Sequence, residues 1–226
     1  MARELGGKHV VVVGATGALG ARIAAHLAAA GARVSAIVRD HTRLDGASVF
    51  QYALADVTDS GALRLAFASV ATAAPIDGVV NATGVVAFGG IGELDDTTLA
   101  KLFAVNATAP IVMLRESATL IADGGFFVNI SGVVATQPVA GMAAYSASKA
   151  AAWAAMSAVA RELRRRQIDV IDARPPHTET GLATRAIAGV APKMPVGLTP
   201  DAVAARIVAA IVAGERDLPT EAFATQ

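Results

Sequence analysis

Short runs rich in Val and Ile alternate along this chain with helix-length segments rich in Ala, and polar or glycine-containing breaks separate them. Read in order, Lys8–Val13 is a buried strand closed by Gly14, and Ala18–Ala30 a helix stopped by Gly31. Arg33–Val38 and Ser48–Leu54 are strands, and Asp59–Thr72 is a helix opened by Asp and Ser caps. Gly78–Asn81 is a short strand. Asp95–Ile121 is a long helical pattern that Pro110 is expected to kink. Gly125–Ser131 is a strand, Ala143–Arg166 a long helix, Ile168–Ala173 a sixth strand and Pro200–Ala213 a last helix. Strand and helix repeating in this way predict an α/β fold: a doubly wound parallel sheet of the Rossmann type, layered αβα. One domain is expected over residues 1–226. The proline-rich stretch Arg174–Pro200 is the only long irregular segment, and a loop of that length in a compact domain is usually functional, here a lid.

Composition narrows the classes. The 226 residues are 54% hydrophobic and 17% charged, which argues against disorder. Nineteen basic residues balance nineteen acidic ones, so no nucleic-acid or anionic-membrane partner is expected. With no cysteine, thiolate chemistry and disulfides are excluded. His9, His26, His41 and His177 are scattered without ligand spacing, and no metal is expected. The start MARELGGKHV carries no apolar signal core, and no apolar run is expected to span a membrane; the stretch Val203–Ala213 is broken by Arg206. A cytoplasmic protein is expected.

Two motifs carry candidate chemistry. The first is GATGALG, Gly14–Gly20, between strand one and helix one. Glycines there permit a tight turn, close approach to a pyrophosphate, and helix packing on the strand, while the helix N-terminus offers free N–H groups to phosphate. At the end of the second strand, where an NAD site usually has a carboxylate, stands Arg39, with Arg43 nearby. A guanidinium suits a 2′-phosphate, so NADP(H) is favoured; a shift of Asp40 towards the ribose would favour NAD(H) instead. The second motif is YSASK. Tyr145 and Lys149, four apart on a helix, share a face, and a neighbouring ammonium would pull the phenol's pKa down. Ser131 ends a strand at the sheet edge where ligands of such folds bind.

With these residues in hand, the sequence resembles the short-chain dehydrogenase/reductase family. The glycine turn, Asp56 in ADVTD, NATG at Asn81–Gly84, Asn106 in VNATAP, Ser131 in NISG, YSASK and ARPPHTET stand in the family's order. The resemblance implies an oxidoreductase that reduces a ketone or aldehyde, or oxidises a secondary alcohol. Tyr145 would be the acid/base, Ser131 would polarise the substrate oxygen, Lys149 would assist Tyr145 and hold the nicotinamide ribose, and Asn106 would place a relay water through its backbone. It further implies cofactor contacts from Gly14, Thr16, Gly17, Ala18, Leu19 and Gly20, from Arg39 and Arg43, and from Asp56 and Val57 at the adenine. Asn81, Ala82, Thr83 and Gly84 would line the cleft, with Pro175, Thr178 and Thr180 at the nicotinamide end.

Three departures stand out: the Gly-x-x-Gly-x-x-Gly spacing, closer to that of sugar-nucleotide enzymes; Pro175–Pro176 in place of Pro-Gly; and the ending DLPTEAFATQ. Two other readings follow from them, a nucleotide-binding regulatory protein without turnover and a sugar-nucleotide epimerase or dehydratase. Substrate contacts are expected from Val85–Gly92, Val133–Met142 and Gly181–Gly197, which are small and apolar and suit a compact hydrophobic carbonyl or alcohol. Phe88 and Met142 fall in those segments. Trp153 is expected in the core or an interface, and Arg161, Arg164, Arg165 and Arg166 at a solvated helix end. A homodimer is expected through the two long helices, with a homotetramer as the larger alternative.

Overall fold

The computed structural model describes residues 2–44 and 49–224. Six strands form one parallel sheet: β1 His9–Val13, β2 Arg33–Val38, β3 Gln51–Leu54, β4 Ile76–Asn81, β5 Ile121–Ile130 and β6 Asp169–Ala173. Their order across the sheet is β3-β2-β1-β4-β5-β6, and every pairing is parallel. The chain therefore reverses direction across the sheet between β1 and β4, which opens a crevice at the C-terminal ends of those strands.

Strand alternation decides what each face buries. In β1, Val10 and Val12 join one apolar core, while Val11 and Val13 join the other. The first core is closed by α1 (Ala18–Ala29), through Ile23 and Leu27, and by α6 (Pro200–Ala213), through Val203, Ile207 and Ile211. Leu63 and Phe67 of α2 (Ser60–Ala71), Met113 of α4 (Ala109–Ala118) and Met156 of α5 (Ala143–Glu162) close the second. Ala-rich helices lie close on such a sheet because their side chains add little thickness. The α2 start carries the Asp cap the sequence suggests, Asp59 accepting from the Ala62 N–H, and α6 is capped by Thr199, which accepts from the Ala202 N–H.

Several boundaries differ from the sequence reading. The helix expected over Asp95–Ile121 is two helices, α3 (Asp96–Phe103) and α4, joined by a π-helical turn at Ala104–Thr108. Pro110 sits in the first turn of α4, directly after the wide turn, and its missing N–H leaves the Asn106 carbonyl without an α-helical donor. Ile121 opens β5 instead of ending a helix, so that strand begins earlier than Gly125. Helix α5 gives way at Leu163 to a tighter 3-10 turn ending at Arg166. The strand expected from Ser48 begins at Gln51, with Ser48 itself outside the described residues.

Arg166 is more than a solvated cation. It bonds the Asp123 carboxylate at 2.7 Å and the Ile121 carbonyl at 2.6 Å, tying the end of α5 to the start of β5. The stretch Asp96–Ala118 is long and apolar enough by length and composition to cross a membrane, but it is interrupted by charged residues, and half of its most apolar 18-residue window is buried inside the fold, as in a core helix. In place of a further strand beyond β6, Leu218 forms a single parallel bridge to Ala173.

Candidate active site

The crevice begins at the glycine turn. Gly14 holds φ +87°, and a Cβ there would meet the Thr83 methyl at 2.9 Å. A Cβ on Gly20 would lie 2.2 Å from the Gly14 carbonyl oxygen, so this glycine lets α1 sit on β1. Gly17 is different. A Cβ there would meet only the Gly14 oxygen, at 3.3 Å, and would otherwise fill open space above the turn. Gly17 is also the N-cap of α1, with no side-chain cap and no acidic residue in the first turn. The N–H groups of Ala18, Leu19 and Gly20 are thus left for an anion, and a dinucleotide pyrophosphate fits this cradle. Thr16 lies half-buried beside it.

Arg39 follows β2 directly and is exposed, with no hydrogen bond or ion pair to another described residue. Asp40 does not reach past it. One Asp40 oxygen accepts from both the N–H and the hydroxyl of Thr42, at 2.9 and 2.8 Å, and these bonds hold its pKa below the ordinary value. Asp56 makes the same local turn with Thr58, and Arg39 is close enough to lower its pKa further. Val57 is half-buried next to it, and Arg43 is exposed in the turn after β2. Asp40 is thereby committed to its own turn, and Arg39 is the charge presented at the strand end.

Ala82, Thr83 and Gly84 leave β4 and line the crevice. Asn81 anchors them: its side-chain oxygen accepts from the Thr83 N–H at 3.1 Å and the Thr83 hydroxyl at 2.7 Å. A Cβ on Gly84 would lie 3.3 Å from Lys149 Nζ and 3.4 Å from Asn106 Oδ1, so three sequence-predicted positions converge here. Asn106 is buried in the π-helical turn. Its side chain bonds Val85 in both directions, at 3.0 and 2.8 Å, and donates to Ser148 Oγ at 3.1 Å. Ser148 in turn bonds the Tyr145 carbonyl at 2.7 Å. The Asn106 side chain thus clamps the exit of β4 to α5, and Pro110 supplies no N–H to its backbone carbonyl.

Tyr145 and Lys149 sit on one face of α5, as their spacing predicts. Lys149 is 6% exposed and donates to the Ile130 carbonyl at 2.9 Å. Burial pushes its pKa down to about 8, and only the nearby Asp172 carboxylate opposes that. The phenol of Tyr145 moves against the direction expected from Lys149 alone. Burial among apolar neighbours pushes the phenol up, to about 12, and no charge pulls it back. Phe88, Leu102 and Met142 pack around it.

Ser131, at the end of β5, is 1% exposed and bonds through its hydroxyl to Asp172 of β6. Asp172, Arg174 and Asn129 are functional candidates that the sequence reading missed. Arg174 lies 3.6 Å from the Asp172 carboxylate and pairs with Asp217 at 2.8 Å. Its guanidinium also faces the half-buried Trp153 ring at 6.0 Å. The signal was two aspartates inside an otherwise apolar buried strand.

The segment after β6 folds back over this group. Pro175 is buried, and its carbonyl accepts from the Val133 N–H at 3.0 Å. The Thr178 hydroxyl donates to the Pro176 carbonyl at 2.9 Å, and Thr180 Oγ1 accepts from the Leu182 N–H. The Phe88 N–H reaches the Ala188 carbonyl at 3.0 Å and the Ile187 N–H the Val86 carbonyl at 2.8 Å, so the segment is stitched to residues 86–88. A cleft of about 30 Å³ remains, lined by Phe88, Leu102, Met142 and Tyr145 and also by the polar Glu93, Asp95 and Thr98. His177 lies to one side, paired with Glu179 at 3.3 Å.

Residues 8–190 match the model of the short chain dehydrogenase family. The chain belongs to that family. Relatives include an uncharacterised oxidoreductase of Methylorubrum extorquens, 32% identical over 82% of this chain and 79% of that protein. The L-xylulose reductase of Caenorhabditis elegans is 30% identical over 74% and 70%. Among solved structures, a short chain dehydrogenase from Burkholderia cenocepacia in complex with NADP is 28% identical, with TM-score 0.84 over 96% of this chain and 98% of that one. A dehydrogenase/reductase from Sinorhizobium meliloti aligns at TM-score 0.85 and 25% identity over 96% and 94%. This short-chain dehydrogenase is thus a dehydrogenase/reductase by family, with the family's parallel sheet.

Proposed function

We propose that this protein is an NADP(H)-dependent reductase of a small, mainly apolar ketone or aldehyde, and catalyses the reverse oxidation of the matching secondary alcohol. The observation that carries the reading is the gathering of Ser131, Tyr145, Lys149 and Asn106 at the C-terminal edge of β4 and β5, beside a glycine turn left open at Gly17. When bound, the cofactor supplies or accepts the hydride. The cradle from Gly14 to Gly20 holds its pyrophosphate, with Asp56 and Val57 at the adenine end and Pro175, Thr178 and Thr180 at the other. Arg39, with Arg43, pairs with a 2′-phosphate, and the NADP bound by the Burkholderia relative supports that choice.

During reduction Tyr145 gives its phenolic proton to the substrate oxygen as the carbon gains hydride; during oxidation it takes that proton back. A phenol held near 12 is a reluctant proton donor, so Lys149 acts by staying charged close to the developing phenolate. Ser131 orients the substrate oxygen. Phe88, Met142 and Leu102 exclude water and favour an apolar substrate.

Pairing of two copies through α4 and α5 belongs to the same proposal; Ile111 on α4 is 44% exposed and supports it. The test is a titration with NADPH and NADH alongside a carbonyl panel. NADPH-driven turnover that Tyr145→Phe abolishes supports the proposal. Undiminished turnover in that variant contradicts it.

A further inference from the structure

One buried titratable group has no role in the steps given so far. Asp172 is 5% exposed and stands directly behind Ser131. The direction of every hydrogen bond leading to it follows from one fixed donor. The Thr83 N–H can only donate, and it bonds Asn81 Oδ1. That orientation sends Asn81 Nδ2 to Asn129 Oδ1 at 2.9 Å, and then Asn129 Nδ2 to Asp172 Oδ2 at 2.8 Å. The three residues stand in register across β4, β5 and β6. Asp172 Oδ2 is held as an acceptor, so a proton on this carboxyl belongs on Oδ1, the oxygen bonded to Ser131.

Ser131 has a single hydroxyl proton. With Asp172 ionised, that proton is held by Oδ1, and Ser131 presents only lone pairs to a substrate oxygen. With Oδ1 protonated, the carboxyl donates to Oγ, and the Ser131 proton turns towards the substrate. A carbonyl oxygen gaining negative charge needs a donor.

We propose that Asp172 is a positioning residue that sets the hydrogen-bond polarity of Ser131, and that carbonyl reduction runs from the form in which Asp172 carries a proton. This rests on the oxidoreductase reading above. Tyr145 delivers the proton that the product keeps, and Asp172 ends each turnover as it began. The groups facing Asp172 are Asn129 and Ser131 from β5, Lys149 from α5, and Arg174, itself shared with Asp217. Burial pushes the carboxyl up to about 6, against the pull of those bonds and of the two cations, which places the switch close to neutral pH.

The test measures kcat/KM for NADPH-driven reduction from about pH 5 to about pH 9 in the wild type, Asp172→Asn, Ser131→Ala and the double variant. An Asn at 172 accepts from Asn129 and donates to Ser131, mimicking the protonated acid. The wild type is expected to lose about tenfold per pH unit above the Asp172 break. Asp172→Asn is expected to keep its acid-side value and to exceed the wild type by about tenfold near pH 7, below the range in which Lys149 loses its own charge. In the Ser131→Ala background the same change leaves the pH profile unaltered. An Asp172→Asn variant that retains the wild-type break, with activity lowered evenly, would mean that Asp172 only packs the strand, and the proposal falls.

A turnover-free measurement backs this up: 13C NMR of aspartate-labelled protein, with Asp172 assigned by the resonance missing from Asp172→Asn. A midpoint well above ordinary aspartate supports the proposal, and an ordinary midpoint overturns it. If the wild type binds NADPH but reduces no carbonyl, the oxidoreductase reading is what fails, and the inference falls with it.

Discussion

Replacing Lys149 by Met is expected to stabilise the protein near neutral pH while removing its activity. Met has nearly the length of Lys but no charge. Burial takes the Lys149 pKa from 10.5 to about 8. At about 1.4 kcal/mol per tenfold change in proton affinity, the ammonium is about 3 kcal/mol less favourable in the fold than in the unfolded chain. Below about pH 8 both states are protonated, and this cost is fully present. Between about pH 8 and 10.5 the unfolded chain holds a proton that the fold has released, so stability rises with pH; above 10.5 the cost is gone. Against this, Met leaves the Ile130 carbonyl without its bond, which costs about 1–3 kcal/mol at every pH. It also deprives Asp172 of a nearby cation, which trims the gain. The net expectation is a variant more stable than wild type by up to about 2 kcal/mol near pH 7, and less stable by up to about 2 kcal/mol near pH 10, where about 1 kcal/mol of the charge cost still remains in the wild type. Urea unfolding followed by the single tryptophan, Trp153, reads both values. A Met variant equally destabilised at both pH values would refute the argument, because it would mean that burial does not penalise the charge.

Other outcomes follow from the same contacts. Arg39→Ala should weaken NADPH binding by about 10- to 100-fold, the loss of one charge-assisted bond, and leave NADH binding unchanged; equal losses for both would move the 2′-phosphate elsewhere. Gly20→Ala drives a Cβ to 2.2 Å from the Gly14 oxygen and should cost about 1–3 kcal/mol in urea unfolding, with dinucleotide binding lost as α1 shifts. Asn129→Ala leaves Asn81 and Asp172 each short of a buried partner and should cost about 2–4 kcal/mol. A change within about 0.5 kcal/mol would show that the ladder is not a structural element.

Much of this architecture was legible in the chain because Val and Ile runs alternating with Ala-rich segments leave few topologies open. Gly14 to Gly20 was legible because its position between β1 and α1 constrains what glycines there can do. The break at Ala104–Thr108 was not, since an Ala-rich helical pattern reads the same whether its turns are α or π, and Pro110 pointed to a kink instead. The start of β5 was missed for a related reason: Ile121 continues the helical apolar pattern, and only pairing with Ile76 makes it a strand. The burial of Tyr145 was not legible, because spacing on a helix shows that Lys149 shares its face but not how deeply the surrounding fold buries either group. Asp172 and Arg174 escaped because a charge in a buried strand has meaning only through its cross-strand neighbours, and those lie dozens of residues away.

The central claim is that Tyr145 moves the proton in an NADP(H)-linked hydride transfer. Its most direct test is Tyr145→Phe in the purified protein, with NADPH affinity and carbonyl reduction measured on the same sample. The account predicts unchanged NADPH binding and a loss of turnover of about 100-fold or more. Turnover equal to wild type, with NADPH still bound, would contradict it.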